Sequence, residues 1–316
     1  MPVLIIIALA IFLALRTVTG ASGAAPRLAL GTDVHAVARA LARDQALTEV
    51  SGEPSIQTAH FIIKYPAGDE ADAEIVASQA EKAYSFVFGQ MGGTPSDPVL
   101  VRVETRSQLA SDLSMSPSQD PLGAYWRGAV WLLTPSAYLP GSPAQEQPAF
   151  NAVGPLVHEL THLADDDLTG GRTPPFLDEG MAQYMQWRFS GYLWLESDNS
   201  FCQPLYSWSD LANNFDNLQN QALAYHESFA VVQAVAATGK GATLQMLHAL
   251  SDGATAQAAV AAAVGPGAAA RLDGGSAWSC RAAGRPTPGS GPAATNALNS
   301  SPMAARASPV QHGFTS

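Results

Sequence analysis

The segment His158-Glu159-Leu160-Thr161-His162 constrains this chain more than any other part of it. On a helix, positions i and i+4 stack one turn apart, so the imidazoles of His158 and His162 leave the same face at a separation that suits one Zn²⁺. Glu159 is rotated about 100° from His158, near enough to reach a metal-activated water without being a ligand itself. Its carboxylate is then placed as a general base. Leu156, Val157, Leu160 and Leu163 predict that the helix is buried, and Pro155 suits its first turn, where a missing N–H costs nothing.

Two histidines leave such a site incomplete, because a catalytic zinc takes three protein ligands and one open position. After His162 the chain passes Asp165-Asp166-Asp167, breaks at Gly170-Gly171 and Pro174-Pro175, and restarts helically at Phe176-Leu177-Asp178-Glu179-Gly180. A reversal there brings Glu179 back across the first helix to complete a His₂Glu set. Asp178 is placed to support Glu179 or a neighbouring helix. The three consecutive acids read as a solvated helix end able to attract a cation such as Ca²⁺, although they lack calcium-loop spacing.

The rest of the body divides by periodicity. Alternation at 60–65, 99–104 and 128–133 predicts strands, and apolar positions at three- and four-residue spacing across 70–88 predict a helix between the first two. From Pro148 onward the pattern is helical, with candidates near 150–166, 176–190, 222–238, 240–251 and 254–263. Strands first and helices after predict an α+β fold, a small mixed or antiparallel sheet packed on a helical region, and not a series of alternating βα units. With 16 Lys and Arg against 27 Asp and Glu, the net charge is −11, which repels phosphate backbones and argues against nucleic-acid binding.

Three motifs in order carry a resemblance. His158-Glu159-x-x-His162, then Phe176-Leu177-Asp178-Glu179-Gly180-Met181-Ala182-Gln183-Tyr184, then Tyr225-His226-Glu227-Ser228-Phe229-Ala230 together resemble the gluzincin metallopeptidases, in particular their peptidase MA-like branch and more distantly the zinc aminopeptidases. The likeness covers about residues 55–280. It implies a zincin-type catalytic region in which His158, His162 and Glu179 hold Zn²⁺, Glu159 deprotonates the attacking water and Tyr225 donates to the developing oxyanion. The substrate implied is a peptide or protein. Tyr225, followed by Phe229 and Val232, also reads as a core aromatic, and His226 is a competing oxyanion donor. Where some gluzincins carry a carboxylate that orients a zinc histidine, this chain has Gln183, whose amide oxygen would accept an imidazole N–H more weakly. No substrate-side glutamate lies between Gly128 and Leu133, so exopeptidase action is unsupported.

The ends are of different composition. Val3 to Leu15 is an unbroken apolar run followed by small residues, a secretory leader or N-terminal anchor over residues 1–24 and a potential membrane tether through 3–15. Residues 25–54 form an N-terminal segment, either a prosegment or a helix around 34–46. Residues 55–282 form the peptidase MA-like domain, and 283–316 a Pro/Gly/Ala/Ser-rich tail expected to be disordered. In an oxidising compartment Cys202 and Cys280 could join, the alternative being two buried thiols. His35, His60, His248 and His312 lack partners at ligand spacing, and Trp131 is a candidate for lining the cleft. Together these features imply a secreted or extracytoplasmic zinc metallopeptidase. The alternative is a zinc-stabilised, non-catalytic binding or scaffold protein of the same fold.

Overall fold

The computed structural model describes residues 24–114, 121–126, 128–193 and 201–273, with side chains from residue 34. The leader, Cys280, His312 and the tail expected at 283–316 lie outside the described residues. Helix α1 (Ala24–Glu49) is followed by β1 (Ser55–Gln57), β2 (Phe61–Lys64), α2 (Glu70–Met91), β3 (Val99–Glu104) and α3 (Arg106–Asp112). A hairpin of β4 (Gly123–Trp126) and β5 (Ala129–Leu133) completes the sheet. The helical part comprises α4 (Pro143–Val153), α5 (Leu156–Thr169), α6 (Pro175–Ser190), α7 (Trp208–Asn213), α8 (Gln221–Ala236), α9 (Ala242–Ser251), α10 (Ala256–Val264) and α11 (Pro266–Asp273). Among the described residues no helix is long and apolar enough to cross a membrane.

The fold is α+β, with a small mixed sheet. The strand order is β1-β2-β3-β5-β4, parallel through β2, β3 and β5 and antiparallel at both outer strands. The expectation that βα alternation is absent therefore fails in one place. Helix α2 lies between β2 and β3, and a crossover helix of this length returns the chain in the same direction, so the pair is parallel. Strands β1 and β4 carry too few alternating residues to stand out from sequence; β4 exists because the turn before β5 folds it back onto a central strand.

The sheet and helices share one core. Ile63, Val101, Val103, Val130 and Leu132 are fully buried, with Val76, Ala80, Ala83 and Val87 of α2 in the same cluster. Leu156 and Leu160 of α5 join that core at 0% exposure, each worth about 1.5–3 kcal/mol of burial. They hold the helix with its ligand face turned toward α6. The helix predicted at 150–166 is divided at Gly154-Pro155. A Cβ on Gly154 would lie 2.6 Å from the Phe150 carbonyl, and the proline has no N–H to continue the ladder, so the chain ends α4 and restarts as α5.

Candidate metal centre

Helix α5 presents His158 and His162 one turn apart, their rings 4.8 Å between centroids and inclined at 75°. Glu179 reaches them from the second turn of α6. Its Oε2 lies 3.2 Å from His158 Nε2 and 3.8 Å from His162 Nε2, and the three donor atoms all fall within 4.8 Å of one another. Ligands bound tetrahedrally to zinc at 2.0–2.1 Å stand about 3.3 Å apart, so this donor set fits the ion by spacing as well as by chemistry. Glu179 and His162 are almost wholly buried, whereas the His158 side chain keeps 17% exposure, so the site opens to solvent on the His158 side.

The local sequence explains how α6 and α8 approach closely enough to frame the site. Gly180 lies so near α8 that a Cβ there would stand 2.4 Å from the Ser228 carbonyl oxygen. Only glycine fits this crossing. Because the helices touch here, Tyr225 comes to the metal side of α8, where its hydroxyl hydrogen-bonds Glu179. Burial, followed by the Glu179 charge, pushes the Tyr225 phenol well above its ordinary range, so it stays a donor. His226 points elsewhere, its ring stacked on Phe201 at 4.3 Å.

Glu159 lies beside the donor set, buried at 5% exposure under Gly123 of the edge strand. Burial raises its carboxyl above the ordinary value; His158 and His162 pull it down in part, and Glu179 and Asp178 push it up further. A carboxyl of raised basicity next to a metal site is suited to accept a proton.

The orienting group behind His162 differs from expectation. Asp178 Oδ1 pairs with His162 Nδ1 at 2.8 Å, which leaves Nε2 to face the site. Burial opposes charge on His162, but Asp178 and Glu179 outweigh it and push the imidazole up from its ordinary value. Gln183, expected to accept from an imidazole, instead donates Nε2 to the Tyr225 carbonyl at 2.8 Å and fastens α6 to α8. Sequence reasoning left Asp178 between two supporting roles. The signal was its place directly before Glu179, on the helix face that returns toward α5.

The three acids after the motif are not a solvated end. Asp165 is 1% exposed and accepts from Thr173 Oγ1 at 2.9 Å; burial and Asp178 hold its carboxyl well above the usual range. Asp166 receives the Tyr125 hydroxyl at 2.6 Å, His35 Nε2 at 2.6 Å and Arg39, which also binds Asp167. Helix α1 thus supplies, through the Arg39 guanidinium and the His35 ring, the partners that sequence reading sought in a metal ion. His35 and His60 serve structural contacts, His35 with Asp166 and His60 with Glu81. Trp131 is 2% exposed beneath Arg102 and does not line the cleft. Cys202 is disulfide-bonded.

A helix carrying two histidines, answered by a glutamate from the next helix and a tyrosine from a third, forms a donor cluster that could hold a metal ion. Residues 148–275 match the family model of the Peptidase MA superfamily, a stretch that spans α5, α6 and α8 and every metal-ligand candidate. The resemblance to the gluzincin peptidases is borne out over this helical half, which has a metallopeptidase-like fold. The superfamily is typically metal-dependent, in accord with the His-His-Glu cluster. No curated protein matches the chain.

Proposed function

We propose that the protein is an exported zinc-dependent metallopeptidase that hydrolyses peptide bonds in a peptide or protein substrate. The observation that supports this most is the convergence of His158 Nε2, His162 Nε2 and Glu179 Oε2, with the Glu159 carboxylate buried alongside. A zinc ion held by these three would polarise the scissile carbonyl and make water acidic enough to attack near neutral pH.

The chain's own groups then account for the proton and charge movements. Glu159 accepts a proton as the water oxygen bonds to the carbonyl carbon, and returns it to the amine nitrogen as the C–N bond breaks. Tyr225, whose O–H rests on Glu179, donates to the carbonyl oxygen as negative charge develops there, a contribution of roughly 2.7–4 kcal/mol for donors of this kind. Strand β4 pairs only with β5 among the described residues, so its outer edge offers backbone donors and acceptors beside Glu159 along which an extended substrate would lie. Residues 1–24 as leader or anchor would deliver the enzyme outside the cytoplasm, and the disulfide at Cys202 accords with an oxidising compartment.

The decisive measurement is zinc content together with peptide hydrolysis in Glu159→Gln. The expected result is one zinc per chain in both proteins and hydrolysis only in the wild type. Hydrolysis that persists in the variant overturns the mechanism. Stoichiometric zinc without hydrolysis in the wild type, against a broad peptide library, supports the scaffold alternative.

A further inference from the structure

Strand β4 meets α5 at two points, seven residues apart on the helix. At the first, Gly123 faces Glu159 so closely that a Cβ would stand 3.0 Å from Oε1. At the second, Tyr125, two residues along the strand and so on the same face of the sheet, donates its hydroxyl to Asp166 Oδ2 at 2.6 Å. Residues 159 and 166 share one side of α5, because seven steps of about 100° close to within roughly 20° of two turns. The carboxylate that receives Tyr125 is held in turn by α1. His35 Nε2 meets its Oδ1 at 2.6 Å, and Arg39, one helical turn later, reaches Oδ2 at 3.5 Å and also binds Asp167. A carboxylate only accepts, so His35 Nε2 carries the imidazole proton. Helix α1 is itself seated on the hairpin: a Cβ on Gly128, in the turn between β4 and β5, would stand 2.8 Å from the Arg39 carbonyl oxygen. Further along, Ala46 of α1 belongs to the shared core.

We propose that Tyr125 is a positioning residue: it fastens β4, the edge strand along which an extended substrate would lie, to α5, and α1 keeps the receiving carboxylate in place through His35 and Arg39. Residues 24–49 then work as part of the catalytic unit, and not as a prosegment that restrains it. The fastening acts on the backbone of the strand, which a peptide would contact alike before and during bond cleavage, so its loss raises KM and leaves kcat. The proposal rests on the metallopeptidase reading and assigns the support of the substrate strand within it.

Tyr125→Phe removes the hydroxyl and keeps the ring. Peptide hydrolysis by the zinc-loaded full chain is resolved into kcat and KM, and amide hydrogen exchange is followed in β4 and, for comparison, in α6 and α8. The expected result is KM raised about tenfold, the lower end of what a hydrogen bond to a charged group is worth, with kcat unchanged within about twofold. Exchange in β4 should be about tenfold faster, while α6 and α8 keep their rates. A purely structural role would lower kcat with the fraction folded, leave KM as it is and speed exchange in all three elements alike, and that pattern overturns the proposal. His35→Gln keeps an N–H near the place of Nε2 and should retain the wild-type KM, whereas His35→Leu should shift it in the direction of Tyr125→Phe. Equal KM values in the two His35 variants, or faster hydrolysis in His35→Leu, as release of a prosegment would give, overturn the proposal as well. A wild-type chain that binds zinc yet cleaves no peptide would overturn the metallopeptidase reading instead, and the exchange rates of β4 would still decide whether Tyr125 and α1 fasten the strand.

Discussion

Gly123→Ala would show whether the position of the Glu159 carboxylate, and not only its presence, sets turnover. A Cβ at residue 123 would stand 3.0 Å from Glu159 Oε1, 3.1 Å from its Cγ and 3.0 Å from the Trp131 carbonyl oxygen. Ordinary contact is about 3.5 Å, so one side must retreat by about 0.5 Å. The Trp131 carbonyl belongs to β5, which is paired on both sides by β3 and β4, whereas the Glu159 side chain can rotate. Glu159 therefore rotates away from the methyl, while the contact with the Trp131 carbonyl is eased by a slight shift of residue 123 itself. If a 1 Å misplacement of a reacting group costs about 100-fold, half of that costs about tenfold, or about 1.4 kcal/mol in the barrier. Residue 123 is not among the glycines with positive φ, so the backbone accepts alanine, and the overpacking costs about 1–3 kcal/mol of stability. Hydrolysis of a quenched fluorescent peptide would be followed beside zinc titration. The expected outcome is kcat reduced about tenfold with zinc affinity unchanged within twofold. An unaltered kcat in the zinc-loaded variant would refute the reasoning, and so would a collapse of zinc affinity, which would mean that the ligands moved instead.

Two further tests address the supports of the site. Gly180→Ala drives a methyl to 2.4 Å from the Ser228 carbonyl, a backbone atom that cannot rotate away, so thermal unfolding should show a loss of about 3 kcal/mol or more; a fully stable variant would mean that the α6–α8 crossing is looser than described. At Asp166, burial raises the carboxyl, but bonds from His35 and Tyr125 and the charge of Arg39 outweigh it and hold it below 3.8. A depressed folded value contributes stability that is complete above the unfolded value and lost as pH falls through the folded one. Urea midpoints taken from pH 5 down to 2.5 should accordingly fall less steeply in Asp166→Asn than in wild type, and parallel curves would count against the assignment.

The candidate ligand set was legible in the sequence because it depends on short-range geometry. The spacing of His158 and His162 fixes one helix face, and the breaks at Gly170-Gly171 and Pro174-Pro175 force the reversal that returns Glu179. Tyr225 was visible only through its likeness to a family motif, since nothing local distinguishes it from a core aromatic. Asp178 as orienter and Asp165 as an enclosed acid were obscured for a different reason. An aspartate run is solvated or buried according to what packs over it: here Asp166 is met by His35 and Arg39 of α1, more than 120 residues earlier in the chain, and Asp165 by Thr173 of the turn before α6.

The amino-acid order by itself determined the helix periods, the chain reversal and the chemical types brought to the centre, because each of these is settled within a few turns of backbone. Tertiary structure decided the partners: which carboxylate holds which imidazole, where Gln183 donates, why β2 and β3 run parallel, and what neutralises the acids after His162. Those outcomes depend on desolvation and on contacts between elements far apart in the chain, energies that no local window of sequence contains.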